Sequence, residues 1–318
     1  MLLTILIAIA GIAMVMLGAQ GLTEGASAMA RRLSVPPIVV GLTVVALGTS
    51  APEFFISLTS QLKGTTDMAV GNVVGSNIFN SLLIVGVAAL AAPMILSKTT
   101  VLREIPVGMG ATLLLFVLAY DRVISRWDAV LLFVAFLAFM VYTVRKALRS
   151  RKHASTTETA EEDAKAVRPM AWWKAAVYVL VGLAGLILGS DLFVDAAVKI
   201  ARALAVNDAV IGLTIVAGGT SLPELATSVV AARHGQSEIA IGNVIGSNVF
   251  NILMILGITG LVAPLPLYEI TMVDLAVLFG SALLIWIFSY TRFTIERWEG
   301  GVLTACFVAY MSYLLCNL

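Results

Sequence analysis

Apolar residues run along this chain in stretches too long for the helices of a soluble domain. Crossing a hydrocarbon core of roughly 30 Å at about 1.5 Å per residue takes about 20 residues. Stretches of that length lie near 2–22, 36–62, 68–92, 102–120 and 127–147, and again near 172–198, 208–232, 238–263, 271–290 and 299–317. The pattern therefore predicts ten transmembrane helices in two sets of five. Between the sets, "RKALRSRKHASTTETAEEDAKAVRP" is the one long polar stretch and reads as a solvated linker. The expected organisation is a first repeat over 1–147, a cytoplasmic linker over 148–171 and a second repeat over 172–318.

The two sets are copies of one another. A shift of 171 residues aligns "GLTVVALGTSAPE" (41–53) with "GLTIVAGGTSLPE" (212–224), and "VGNVVGSNIFN" (70–80) with "IGNVIGSNVFN" (241–251). Of the 53 positions in 41–93, 27 are identical to those in 212–264, with no gap. Shared hydrophobicity would not match Gly, Asn, Ser, Pro and Glu. Because five is odd, the second copy must enter the membrane from the opposite side, so the repeats are inverted. With the N-terminus outside, 15 Lys and Arg fall on the cytoplasmic side and 5 outside, in the sense of the positive-inside rule. The expectation is a multi-pass protein of the cytoplasmic membrane with both termini extracytoplasmic.

Composition agrees with the pattern. The chain of 318 residues is 60% hydrophobic and 12% charged, about half the charged share of soluble domains. Basic residues sit in short loops, which excludes a nucleic-acid partner. Cys306 and Cys316 have no metal-ligand spacing. Nothing points to an enzyme, to a cofactor or to a need for a partner chain beyond the bilayer itself.

Polar chemistry concentrates in the second and third helix of each set. Pro52 and Pro223 must loosen their helices, leaving the carbonyls of Gly48 and Gly219 without their usual donor. Loosened backbone in a membrane is tolerated only inside protein or beside a cavity, and freed carbonyls suit hard cations. On the same helices Ala46, Thr49, Ser50, Glu53 and Ser57 recur at spacings of three and four, and Ala217, Thr220, Ser221, Glu224 and Ser228 repeat the stripe. The third helices offer Asn72, Ser76 and Asn80, and Asn243, Ser247 and Asn251, while Gly71/Gly75 and Gly242/Gly246 permit close helix approach. Asn77 and Asn248, off these stripes, are expected to hydrogen-bond neighbouring helices. A buried carboxylate costs roughly 2.5–3.5 kcal/mol even on lenient insertion scales. Two of them, with carbonyls at the breaks, supply the six to eight or so oxygens that Ca²⁺ takes. Without an intramembrane Cys cluster or His, Zn²⁺ and Cu fit poorly. Glu24, Asp191, Asp195 and Lys199 are expected to form a surface or interhelical ion network, and Glu104 and Asp274 to face headgroups or water.

The paired "GTSAPE"/"GTSLPE" and "GNVVGSN"/"GNVIGSN" motifs resemble the alpha repeats (41–93 and 212–264 here) of the cation/calcium exchanger superfamily, most closely its prokaryotic sodium/calcium exchanger branch. The resemblance covers essentially the whole chain. It implies an ion-binding core of helices two, three, seven and eight, with helices one and six sliding across it. It also implies that Glu53 and Glu224 are shared Ca²⁺ and Na⁺ ligands, with the backbone oxygens of Thr49 and Thr220 beside them. Ser50, Ser76, Ser221, Ser247 and the carbonyls of Ala46 and Ala217 become the outer Na⁺ ligands, and Asn80 and Asn251 take the central position. One departure stands out, since well-studied members of the branch pair Asn with Asp at that centre. Val73, Val74, Val244 and Ile245 replace the acidic residue of proton-coupled members, which favours Na⁺ as counter-ion. The function implied is Ca²⁺/Na⁺ antiport, with Ca²⁺/H⁺ or another cation antiport as the alternative and a channel-like Ca²⁺-binding protein behind it.

Overall fold

The computed structural model describes residues 2–154, 170–204 and 217–316. Its helices are α1 (Leu2–Leu33), α2 (Pro37–Thr49), α3 (Ala51–Leu62), α4 (Thr66–Ala91), α5 (Thr100–Leu118) and α6 (Arg126–Ala154), followed by α7 (Trp172–Ala203). Then come α8 (Ala217–Thr220), α9 (Leu222–Arg233), α10 (Ser237–Val262), α11 (Met272–Tyr290) and α12 (Arg297–Cys316). Eight of these are long and apolar enough to span a membrane, and α2 with α3 makes a ninth candidate, bent by 47° at the break before Pro52. The tenth expected span begins in 205–216, outside the described residues, as does most of the linker.

Helices α1 and α7 are each 32 residues long, well beyond the apolar stretches that announce them. They continue because they pack on each other rather than on lipid alone. A Cβ at Gly11 would lie 2.8 Å from the Gly189 carbonyl, one at Gly18 2.7 Å from that of Gly182, and one at Gly25 2.9 Å from that of Ala175. Small residues thus bring the two backbones together. As the α1 number rises the α7 number falls, so the first helices of the two repeats run antiparallel, which is the inversion expected from the sequence.

Burial divides the remaining helices into a centre and a rim. In its most apolar stretch α10 is 94% buried and α4 72%, whereas α5, α6, α11 and α12 are 17–39% buried and present apolar faces to lipid. Two short antiparallel ladders tie the repeats together outside the helices. Met94–Ile95 (β1) pairs with Thr294–Ile295 (β4), and Val123–Ile124 (β2) with Leu265–Pro266 (β3). Each ladder joins the same two loops of opposite repeats. Asp67 accepts from the backbone N–H groups of Tyr268 and Glu269, and its equivalent Glu238 accepts from that of Ser97, so each central helix is also pinned to the other repeat.

Two expectations fail here. Glu104 is 1% exposed and ion-paired with Lys146, and Asp274 is buried, accepting from the Tyr310 hydroxyl and Thr271. A buried carboxylate needs such partners, but Lys146 and Tyr310 lie 42 and 36 residues along the chain. The surface network does not form either. Asp191, Asp195 and Lys199 are exposed and Glu24 bonds only Gln20, so Lys146–Glu104 is the one ion pair among the described residues.

Candidate functional site

At the break between α2 and α3, Ser50 leaves helical geometry (φ −84°, ψ 6°), and Ser221 does the same between α8 and α9 (φ −90°, ψ 8°). Proline two residues later starts the next helix at a position where its missing N–H costs nothing. Each glutamate therefore sits in the first turn of a new helix, where backbone N–H groups favour negative charge. Leu183 and Val194 of α7 fill the space a Cβ would need at Gly48 and Gly219, so α7 packs against both breaks.

The carboxylates are reached across the repeat interface. Ser50 Oγ donates to Glu224 Oε1 at 3.1 Å, and Ser221 Oγ donates to Glu53 Oε1 at 3.2 Å. The Thr220 hydroxyl adjoins Glu53, and those of Thr49 and Ser247 adjoin Glu224. Both glutamates are 1% exposed, and the second oxygen of each, Oε2, has no hydrogen-bond partner. The same holds for Oδ1 of Asn80 and Oδ1 of Asn251. These are four buried acceptors in symmetric pairs, unsatisfied by protein, all of them hard oxygens and two of them on carboxylates.

Other residues of the two stripes hold helices together. Asn72 Nδ2 donates to Ser57 Oγ and the Glu53 carbonyl, and Asn243 Nδ2 to Ser228 Oγ and the Glu224 carbonyl. Ser57 and Ser228 donate in turn to the carbonyls of Ala69 and Ala240. These clamps fix α3 on α4 and α9 on α10, and Thr49 Oγ1 bonds Asn243 Oδ1 across the repeats. The Ala46 carbonyl accepts from Ser50 N–H at 3.0 Å and from Thr49 Oγ1 at 3.4 Å. Ser76 is buried but bonds neither glutamate, and Ala217 opens α8 as the first described residue of its stripe.

Spacing alone missed one feature. Both central helices widen into a π-helical turn, at Phe79–Ile84 and Phe250–Ile255, 171 residues apart. Such turns favour functional sites, and each begins one residue before a central asparagine. An i, i+4 stripe of polar residues does not distinguish a π turn from regular helix.

Comparison with known proteins agrees with this geometry. The family model for sodium/calcium exchanger protein matches residues 3–145 and again 174–316, each end offset by the same 171 residues. The chain belongs to that family. It is therefore a polytopic membrane cation exchanger and not an enzyme. It is 34% identical to the sodium/calcium exchanger MaX1 of Methanosarcina acetivorans over 97% of each chain. It is 35% identical to the inner membrane protein YrbG of Escherichia coli over 83% of this chain and 81% of that one. Among solved structures, the sodium-calcium exchanger NCX_Mj soaked with 2.5 mM Na⁺ and 0.1 mM Ca²⁺ superposes with a TM-score of 0.83 at 32% identity, covering 98% of both chains.

Proposed function

We propose that this exchanger carries Ca²⁺ against Na⁺ by alternating access, with Glu53 and Glu224 as shared ligands. The reading rests on the symmetric set of unsatisfied buried oxygens, Glu53 and Glu224 Oε2 with Asn80 and Asn251 Oδ1. A divalent ion balances the two carboxylates, and the hydroxyls and carbonyl oxygens of Thr49, Ser50, Ser76, Thr220, Ser221, Ser247, Ala46 and Ala217 are the further ligands we assign to Na⁺. The sodium/calcium exchangers among its relatives support the choice of ions.

Alternating access draws support from unequal burial of equal sequences. Met68 on α4 is 59% exposed, whereas its equivalent Ile239 on α10 is 0% exposed. Gly75 is exposed, whereas Gly246 is buried and a Cβ there would meet Leu42 and Ala46 at 2.9 and 2.6 Å. Two near-identical halves held in different environments are what an inverted-repeat transporter requires, because exchanging their environments produces the opposite-facing state.

Flux of Ca²⁺ driven by a Na⁺ gradient in proteoliposomes tests the reading, with Glu53→Gln and Glu224→Gln each abolishing it. Retention of flux in either variant would overturn the assignment. Flux driven by a pH gradient without Na⁺ would instead establish proton coupling. We further assign residues 1–147 and 172–318 as the two repeats, 148–171 as a cytoplasmic linker, and both termini to the extracytoplasmic side. A reporter fused after Arg149 should then register as cytoplasmic and one at Leu318 as external.

A further inference from the structure

Asn77 and Asn248 lie outside the ligand set but fix what that set presents. Asn77 is fully buried, and its amide Nδ2 donates to the backbone carbonyl of Asn248 at 3.2 Å. A carbonyl can only accept, so this bond determines which way the Asn77 amide faces. Its Oδ1 is thereby left to accept from Asn251 Nδ2, at 2.9 Å. With its nitrogen committed to Asn77, Asn251 turns Oδ1 the other way, and that is the oxygen without a partner. The other side has the same order of partners, except that its anchor is a serine hydroxyl, which can donate as well as accept, in place of a carbonyl. Asn248 Nδ2 donates to Ser81 Oγ at 2.8 Å, its Oδ1 accepts from Asn80 Nδ2 at 3.1 Å, and Asn80 Oδ1 is left unsatisfied.

Resting on the cation-exchange reading above, we propose that Asn77 and Asn248 are positioning residues that lock the amides of Asn251 and Asn80 with oxygen toward the transported cation. Either central amide, left to turn over, would present an N–H₂ group and repel a cation. An aspartate at the centre could turn over in its ionised form and still present oxygen. Two asparagines need their orientation imposed, and each repeat supplies the residue that imposes it on the other.

A double-mutant cycle tests this. In purified, monodisperse protein, Ca²⁺ affinity is read from Ca²⁺-dependent thermal stabilisation and from the Ca²⁺ concentration giving half-maximal uptake. Asn77→Leu and, in parallel, Asn77→Ala should weaken Ca²⁺ by about tenfold or more, the order expected from losing one hydrogen bond to a charged group. Asn77→Asp, whose acid form offers an acceptor to Asn251 and a donor to the Asn248 carbonyl, should retain most of the affinity. In an Asn251→Ala background there is no amide to orient, so Asn77→Leu and Asn77→Ala should add little. The Asn248 variants should behave alike through Asn80. Equal weakening with and without the Asn251 amide would reduce Asn77 to a packing residue and overturn the proposal, as would unchanged affinity in Asn77→Leu and Asn77→Ala. Failure of the exchange reading looks different, since the parent would then bind no Ca²⁺ or Glu53→Gln would bind it as the parent does.

Discussion

Gly75 and Gly246 occupy the same position in the two copies of one motif, yet adding a methyl group to each should have opposite consequences. At Gly246 the new Cβ would lie 2.6 Å from Ala46 Cβ and 2.9 Å from the Leu42 Cα and carbonyl oxygen. Ordinary carbon contacts begin near 3.5 Å, so α10 and α2 must separate by several tenths of an ångström to about 1 Å. Overpacking of this kind costs about 1–3 kcal/mol. At Gly75, which is exposed, a methyl group has room, and the gain in helix propensity is at most about 1 kcal/mol. If the two repeats exchange environments during transport, Gly246→Ala penalises the present conformation and Gly75→Ala penalises its mirror image. A bias of 1–3 kcal/mol changes the ratio of the two states by roughly 5–150-fold. The reporters are Met68→Cys and Ile239→Cys, at equivalent sites that are 59% and 0% exposed, in a background where Cys306 and Cys316 are replaced by serine. With a water-soluble thiol reagent, Gly75→Ala should keep the cysteine at position 68 fast and slow that at 239. Gly246→Ala should do the reverse. A shift of both reporters in the same direction, or of neither, would refute the reasoning.

Other outcomes follow from single contacts. Lys146→Met strips the partner from a carboxylate that is 1% exposed, and breaking a buried pair costs about 3–5 kcal/mol. Since Lys146 is 18% exposed, a loss near the lower end is expected as a reduced unfolding temperature, recovered when Glu104→Gln is added. Ser50→Ala and Ser221→Ala each remove one hydroxyl from the glutamate of the opposite repeat. The two should weaken Na⁺ activation of flux to similar extents, and a large effect from only one would break the symmetry argument. Asn251→Asp places an oxygen against Asn77 Oδ1, where the amide nitrogen now donates at 2.9 Å. The introduced carboxyl can keep that bond only with its proton, so exchange by the variant should decline in alkaline medium while the parent stays level.

What could be read in the sequence was whatever repeats locally. The 171-residue shift, the proline breaks and the two glutamates are properties of contiguous motifs, and the folded chain brings the motifs together across the repeat interface. Helix length was harder to read. Gln20, Thr23 and Glu24 end the apolar run of α1, but the helix continues to Leu33 because Gly25 meets Ala175 on α7, 150 residues away. Partners far along the chain also explain Glu104, whose burial depends on Lys146, and Asp274, whose burial depends on Tyr310. Asn77 and Asn248 were legible as residues that bond a neighbouring helix. That Asn77 reaches the carbonyl of its own repeat equivalent and the Asn251 amide, while Asn248 reaches Ser81 and the Asn80 amide, required the crossing of α4 with α10. For Gly242 and Gly246 the close approach is to Ile38, Gly41 and Leu42; the residues equivalent to these, which Gly71 and Gly75 would meet by the repeat, fall at 209–213, outside the described residues.

The same contacts suggest why the exchange should be obligatory. Each glutamate is held by a hydroxyl from the opposite repeat, so the two carboxylates are stabilised only while the repeats stay in register. One oxygen of each is satisfied in this way and the other is not. Removing the cation would leave two like charges in a low-dielectric interior, each short of a partner, at a cost of several kcal/mol per ion. A conformational change that further sealed the site from water would raise that cost, whereas one made with the charges balanced would not. The barrier to returning unloaded is thus set by the unsatisfied oxygens themselves. On the reading proposed above, Asn80 and Asn251, being neutral, would add acceptors without adding charge, and balance would be reached with two positive charges, whether on one Ca²⁺ or on Na⁺ ions.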